Sequence, residues 1–183
     1  MNVLFCDQSL LKFGYSVYHV SASSCTLVAA GLLQLNGKTE IMNRLLEIED
    51  WLVEMIAAYD IQHVVIEEIQ MQRNVRTYRK LCMLFYAIES LCWRKGIPFE
   101  SIHVTTWRTH GIKNMLNLPD GKKMTLYNYF YNQFKYIPSY DHNVSDALSM
   151  GFFWSRFTYP HANVIMDRLG DEVQSVENGK RND

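Results

Sequence analysis

Residues 64–74 read VVIEEIQMQRN. Together with Ile61, Gln62 and His63 they open as a short, continuous apolar run. Such a run suits a strand buried on both faces near the centre of a sheet. The run ends in two adjacent carboxylates, Glu67 and Glu68. Burying a charge is costly unless something pairs with it. A buried strand should therefore not end in adjacent carboxylates without a reason.

The rest of the chain supplies such a sheet. NVLFCDQS is a short apolar strand ending in Asp7. FGYSVYHV and CTLVAAGLLQL are β-rich and separated by turn-like polar residues, so the first three strands form an antiparallel meander. KTEIMNRLLEIEDWLVEMIAAY is helical, with Ile41, Leu45, Ile48, Leu52 and Met55 at 3–4 spacing. A second helix is expected over residues 75–95, on a stripe of Tyr78, Leu81, Cys82, Phe85, Ile88 and Cys92, stopped by Gly96-Ile97-Pro98. FESIHV is a fifth strand, residues 105–121 read as loop, KKMTLYNYFYNQF as a helix, and NVSDALSMGFFWSRF as a last helix. One domain is expected over residues 1–160. Residues 161–183 form a polar extension, without a sustained pattern from Asp167 onward.

In the order β-β-β-α-β-α-β-α-α, strands one and four flank a helical crossover. A right-handed crossover makes them parallel, so both end at the same sheet edge, where ligands of open α/β sheets collect. Asp7 ends the first and Glu67 the fourth. Asp146, near the start of the last helix, can turn toward the same edge. Carboxylates brought together raise one another's proton affinity, and a divalent cation relieves the repulsion. Oxygen donors without Cys or His suit Mg²⁺ or Mn²⁺. Three such acids can hold two ions about 3.5–4 Å apart, the arrangement used in phosphodiester hydrolysis. Each acid also has a plain structural reading: Asp7 as a turn residue, Asp146 as a helix N-terminal acid favoured by the dipole.

Charge distribution adds a partner class. Formal net charge is -1, yet between Arg73 and Lys135 eleven Lys/Arg (73, 76, 79, 80, 94, 95, 108, 113, 122, 123, 135) face three acids (89, 100, 120). That middle third suits a polyanion, or an ordinary solvated surface. Cys6, Cys25, Cys82 and Cys92 make no C-x-x-C pair or zinc-finger spacing and read as free thiols in a reducing compartment. With no leader ahead of the first strand and no membrane-length apolar run, a cytoplasmic protein is expected, of a cell or of an infected cell.

LFCDQSLLKFGYSV (with Asp7 and Gly14), VVIEEIQMQRN (with Glu67) and SDALSMG (with Asp146) occur in that order. The chain thereby resembles a RuvC-type Holliday junction resolvase of the phage-encoded kind, within the ribonuclease H-like (retroviral integrase) superfamily. The resemblance runs over roughly residues 1–157. It implies a five-stranded mixed sheet flanked by helices. It also implies a Mg²⁺-dependent, structure-selective endodeoxyribonuclease, with Mn²⁺ as possible substitute, acting on four-way junctions, forks and other branched DNA.

The resemblance makes Asp7, Glu67 and Asp146 the metal ligands and Glu68 a neighbour, since strand alternation lets only one of the two glutamates face Asp7. The family's fourth acid or His lies three residues before the last Asp. Here that position is Asn143, with Asp141 and His142 just upstream, and the fourth ligand stays open among them. Arg108 and Lys123 fall where the family places cations near the scissile phosphate. Lys122, Arg73, Arg76, Arg79 and Lys80 are assigned to the DNA backbone. Gln70 stands where the family carries an aromatic residue directed at junction bases. It cannot stack, which implies reliance on junction shape and phosphates.

The resemblance further implies a homodimer through helix 75–95, whose second face carries Met83, Tyr86, Ala87, Ser90 and Trp93. Two other readings remain: a non-catalytic branched-DNA-binding protein on the same fold, motivated by the missing fourth carboxylate, and an actin-like ATPase-type phosphotransferase. The second lacks the glycine-rich loops it would need, with nine glycines and no cluster.

Overall fold

The computed structural model describes residues 1–71, 73–135, 137 and 139–165. The polar tail expected from Asp167 lies outside the described residues. Strands β1 (Asn2–Asp7), β2 (Lys12–Val20) and β3 (Ser24–Gln34) form the antiparallel meander. Helix α1 (Ile41–Ala58) then crosses to β4 (Ile61–Glu67), which pairs with β1 in parallel. Helix α2 (Val75–Lys95) leads to β5 (Phe99–Ile102), parallel to β4. The five expected strands are all present. A sixth, β6 (Asn163–Ile165), adds in parallel beside β3, giving the order β5-β4-β1-β2-β3-β6 and carrying the sheet past residue 160.

Strand alternation sorts the core into two layers. Leu4, Cys6, Val64 and Ile66 point to the face covered by α1 and α2, packing on Leu45, Ile48, Leu52, Leu84 and Ile88. Val3, Phe5 and Val65 point to the opposite face, covered by α4 (Lys123–Phe134) and α5 (His142–Thr158). Helix α5 is buried at nearly every position from Val144 to Ser155, as befits a helix laid along the middle of a sheet. Ser16 and Tyr18 hydroxyls on β2 donate to the carbonyls of Ala147 and Leu148, at 2.8 and 3.0 Å. Gly14 permits this approach: a Cβ there would lie 2.3 Å from the Asn143 backbone, far inside contact distance.

Helix α2 spans the residues expected of it. Asn74 caps its start by accepting from the Arg76 and Thr77 amides, and Gly96 ends it at φ 67°. Its core stripe is displaced from the expected one. Leu84, Ile88, Leu91 and Cys92 are buried, while Tyr78, Leu81, Cys82 and Phe85 sit half-buried at the border. Leu84 and Leu91 join Ile88 in the layer shared with α1 and the sheet, at positions the expected stripe omits.

The expected loop over residues 105–121 is a correction. Thr105–Ile112 is a π-helix, followed by the single turn α3 (Lys113–Met115). In a π-helix the hydrogen bonds run five residues apart. The fully buried residues Trp107 and Ile112 are five apart, a spacing that a search for 3.6-residue periodicity does not detect.

Candidate active site

The parity that builds the core also delivers the acids. Asp7 continues the Val3–Phe5 row on β1, and Glu67 continues from Val65 on β4. Both therefore end their strands on the α5 side of the sheet. Glu68, one residue on, lies past the strand and is exposed. Asp146, 1% exposed, is one turn into α5 and meets the same edge.

Two cations from outside the sheet close the cluster. One terminal nitrogen of Arg108, on the π-helix, lies 2.7 Å from Asp146 Oδ2 and 3.9 Å from Glu67 Oε2. Lys123 Nζ, at the first turn of α4, is 2.7 Å from the same Asp146 oxygen. The Trp107 indole N–H donates to Glu67 Oε2 at 3.2 Å. Trp107 is the contact that sequence reading missed; only its five-residue spacing from Ile112 could have flagged it.

The electrostatics are those of an under-compensated acidic site. Burial pushes the Asp7 carboxyl well above its ordinary range. Asp146 and Glu67 push it the same way, while Lys123 and Arg108 oppose them. Burial likewise raises Glu67 and Asp146 despite the cations at their side. Burial would lower Lys123, but the attraction of Asp146 prevails and its proton is held more tightly than usual.

The three candidates for a fourth ligand separate. Asp141 is the N-cap of α5: it accepts from the Asn143 amide at 2.8 Å and pairs with Lys12 at 2.9 Å. Burial acts to raise its carboxyl, but the Lys12 and Asn143 hydrogen bonds win and hold it below the usual value. The Asn143 side-chain amide donates to the Lys12 carbonyl. His142, one turn before Asp146, has Nδ1 buried with no protein partner.

Of the other expected residues, Arg73, Arg76 and Arg79 are exposed and Lys80 is half-buried, at the start of α2. Lys122 is exposed beside Asp120, 3.4 Å away. Gln70 is half-buried, with Met71 exposed beside it.

Among the described residues no group of three or more Asp, Glu, His or Cys side chains is placed, as it stands, to hold a metal ion. Arg108 and Lys123 stand in as shared counter-ions. The donor set nevertheless fits a hard divalent cation: three carboxylates, all oxygen, with Asp146 Oδ1 buried and without a protein partner.

Comparison with known proteins bears on the same segment. The family model described as crossover junction endodeoxyribonuclease RuvC matches residues 3–104, from β1 through β5. A curated RuvC of Prosthecochloris aestuarii is 32% identical over 100 residues, covering 55% of this chain and 54% of the relative. One from Rickettsia akari is 32% identical over 106 residues, covering 58% and 68%. The matched stretch thus spans only about half of the first relative's length. Among solved structures, Thermus thermophilus RuvC in complex with a Holliday junction substrate superposes with TM-score 0.64 at 15% identity, covering 87% of this chain and 98% of that one. The Fowlpox virus resolvase with substrate Holliday junction DNA gives 0.59 at 10% identity, covering 86% and 99%. These similarities establish a ribonuclease H-like resolvase fold.

A carboxyl that binds its proton more tightly when folded than unfolded costs stability once ionised. The penalty is absent below the unfolded-state value, about 3.9 for Asp, and grows as pH rises through the folded-state value. Asp7→Asn in protein stripped of divalent ions is therefore expected to raise the thermal unfolding midpoint at pH 7, and to raise it less at pH 4. Differential scanning calorimetry at the two pH values checks this; a midpoint lowered at pH 7 would mean that Asp7 is not strained by its neighbours.

Proposed function

Since the chain belongs to the crossover junction endodeoxyribonuclease RuvC family, we propose that it is a structure-selective nuclease that hydrolyses phosphodiester bonds in four-way DNA junctions and related branched DNA. The observation that carries this reading is the convergence of Asp7, Glu67 and Asp146 on one sheet edge with Arg108 and Lys123 between them. Asp7, Glu67 and Asp146 would hold Mg²⁺, or Mn²⁺ in its place. Asn143 Oδ1 or His142 Nδ1 would complete the set in preference to Asp141, whose carboxylate is engaged at the helix cap. When bound, the divalent ions supply a nucleophile at neutral pH and stabilise charge on the leaving oxygen.

The remaining chemistry belongs to the chain. Asp146, 1% exposed, is buried enough that water is a poor competitor for it. Arg108 and Lys123, each able to donate several hydrogen bonds, both lie on Asp146 Oδ2 and would leave it if a divalent cation were bound there. They would then be free to hold the scissile phosphate. Arg73, Arg76, Arg79, Lys80 and Lys122 lie outside the carboxylate cluster and supply sequence-independent contacts to the DNA backbone. Binding should accordingly weaken steeply with salt as counterions are no longer released to advantage. Gln70 offers an amide in place of a stacking ring, so junction shape and phosphates dominate recognition. The nuclease unit is taken as residues 1–160 together with β6.

The homodimer belongs to this proposal too. Trp93 is 82% and Tyr86 70% exposed on α2, with Met83 beside them. These large apolar side chains lie on the side of α2 away from its core stripe. Two copies joined there would direct two sites at opposed strands of one junction.

Asp7→Asn, Glu67→Gln and Asp146→Asn are each expected to abolish Mg²⁺-dependent cleavage of a labelled four-way junction while leaving junction binding intact. Glu68→Gln should be far milder. Wild-type cleavage by any of the first three would remove that residue from the site. Loss of cleavage by all forms of the protein, wild type included, with binding retained would favour the non-catalytic DNA-binding reading. For the dimer, Trp93→Glu places a charge in the apolar contact and should yield a folded monomer by light scattering and circular dichroism; an unchanged dimer would exclude this face.

A further inference from the structure

Trp107 is fully buried in the layer beneath α5, yet its indole N–H is directed at the site rather than at backbone. An indole nitrogen only donates, and a buried donor needs an acceptor. The one it has is Glu67 Oε2, at 3.2 Å. The next residue, Arg108, lies with its guanidinium carbon 4.6 Å from the centroid of the Trp107 ring. From there it reaches the same Glu67 oxygen and Asp146 Oδ2. In the π-helix two consecutive side chains therefore act on one carboxylate.

The two contacts differ in kind. Arg108 is charged and lies partly open to solvent. Trp107 is neutral, cannot titrate and is locked by packing against the core. A neutral donor fixes the orientation of a carboxylate without neutralising it, so the charge remains available to a cation. Among the described residues the contacts of both Trp107 and Arg108 with Glu67 fall on Oε2 and not on Oε1. The Trp107 ring also gives Arg108 a flat support.

On this basis, and resting on the metal-dependent reading above, we propose that Trp107 is a positioning residue for the metal site. It holds Glu67 in a single orientation through its indole N–H, and so sets the affinity of the site for divalent ions. A group that orients a ligand in this way typically carries about 10–100-fold in metal affinity. The competing description is that Trp107 merely fills space under α5.

The two descriptions separate when the N–H is removed and the shape kept. Replacing Trp107 with β-(benzothiophen-3-yl)alanine substitutes sulfur for the indole N–H on a ring of nearly the same outline. Mn²⁺ binding to the full chain, freed of divalent ions and without DNA, is then followed by isothermal titration calorimetry, with circular dichroism as the check on folding. Affinity is expected to fall roughly 10-fold or more with the fold unchanged, and Trp107→Phe should shift affinity in the same direction. Wild-type Mn²⁺ affinity in the folded benzothiophene variant would overturn the proposal and leave Trp107 a packing residue. Glu67→Gln in the same titration tells the two levels apart. If it weakens Mn²⁺ binding while the benzothiophene variant does not, only the positioning role fails. If Glu67→Gln itself binds Mn²⁺ as the wild type does, Glu67 is not a ligand and the reading on which the proposal rests fails with it.

Discussion

The mutual repulsion of Asp7, Glu67 and Asp146 is the interaction on which the rest of the structure depends. Burial raises the proton affinity of all three; Asp146 adds to the rise at Asp7 and Glu67, Glu67 adds to it at Asp7, and Arg108 and Lys123 oppose it throughout. Nothing in folding alone favours such a cluster. It persists because the elements that carry it are held elsewhere. β1 and β4 are locked side by side in the centre of the sheet, and α5 is buried along most of its length. The cost is carried by the core, as is usual where a site stores unfavourable electrostatics.

The geometry follows from one simple rule. Side chains alternate along a strand, so Val3, Phe5 and Asp7 share a face, as do Val65 and Glu67. Parallel pairing of β1 with β4 then puts the two strand-end acids at one edge, and α5, packed on that same face, brings Asp146 to them. Gly14 matters because α5 must approach β2 more closely than any Cβ permits. A one-residue slip in either strand would turn its acid to the α1–α2 face, away from Asp146.

Much of this was legible in the chain. The apolar run ending in Glu67 announced a central strand, the β-α-β crossover fixed its direction, and alternation separated Glu67 from Glu68. Helix α2 was bounded at residues 75–95 with its stop at Gly96, while the cap at Asn74 came only with the structure. What was not legible depends on contacts distant in sequence or on an unusual period. The α2 stripe takes in Leu84 and Leu91 because the sheet and α1 together, rather than the helix itself, decide which residues are covered. Residues 105–121 read as loop because Trp107 and Ile112 repeat at five. The engagement of Asn143 with the Lys12 carbonyl and of Asp141 with the helix cap became visible only once β2 and α5 were side by side.

Arg108 and Lys123 occupy, as counter-ions, the position proposed above for divalent cations. The most direct measurement is anomalous diffraction from a crystal of the protein soaked in Mn²⁺. The predicted result is anomalous density bounded by Asp7, Glu67 and Asp146, with Arg108 and Lys123 withdrawn from Asp146 Oδ2. Mn²⁺ found only elsewhere on the protein, with both cations still on Asp146 at saturating metal, would contradict it.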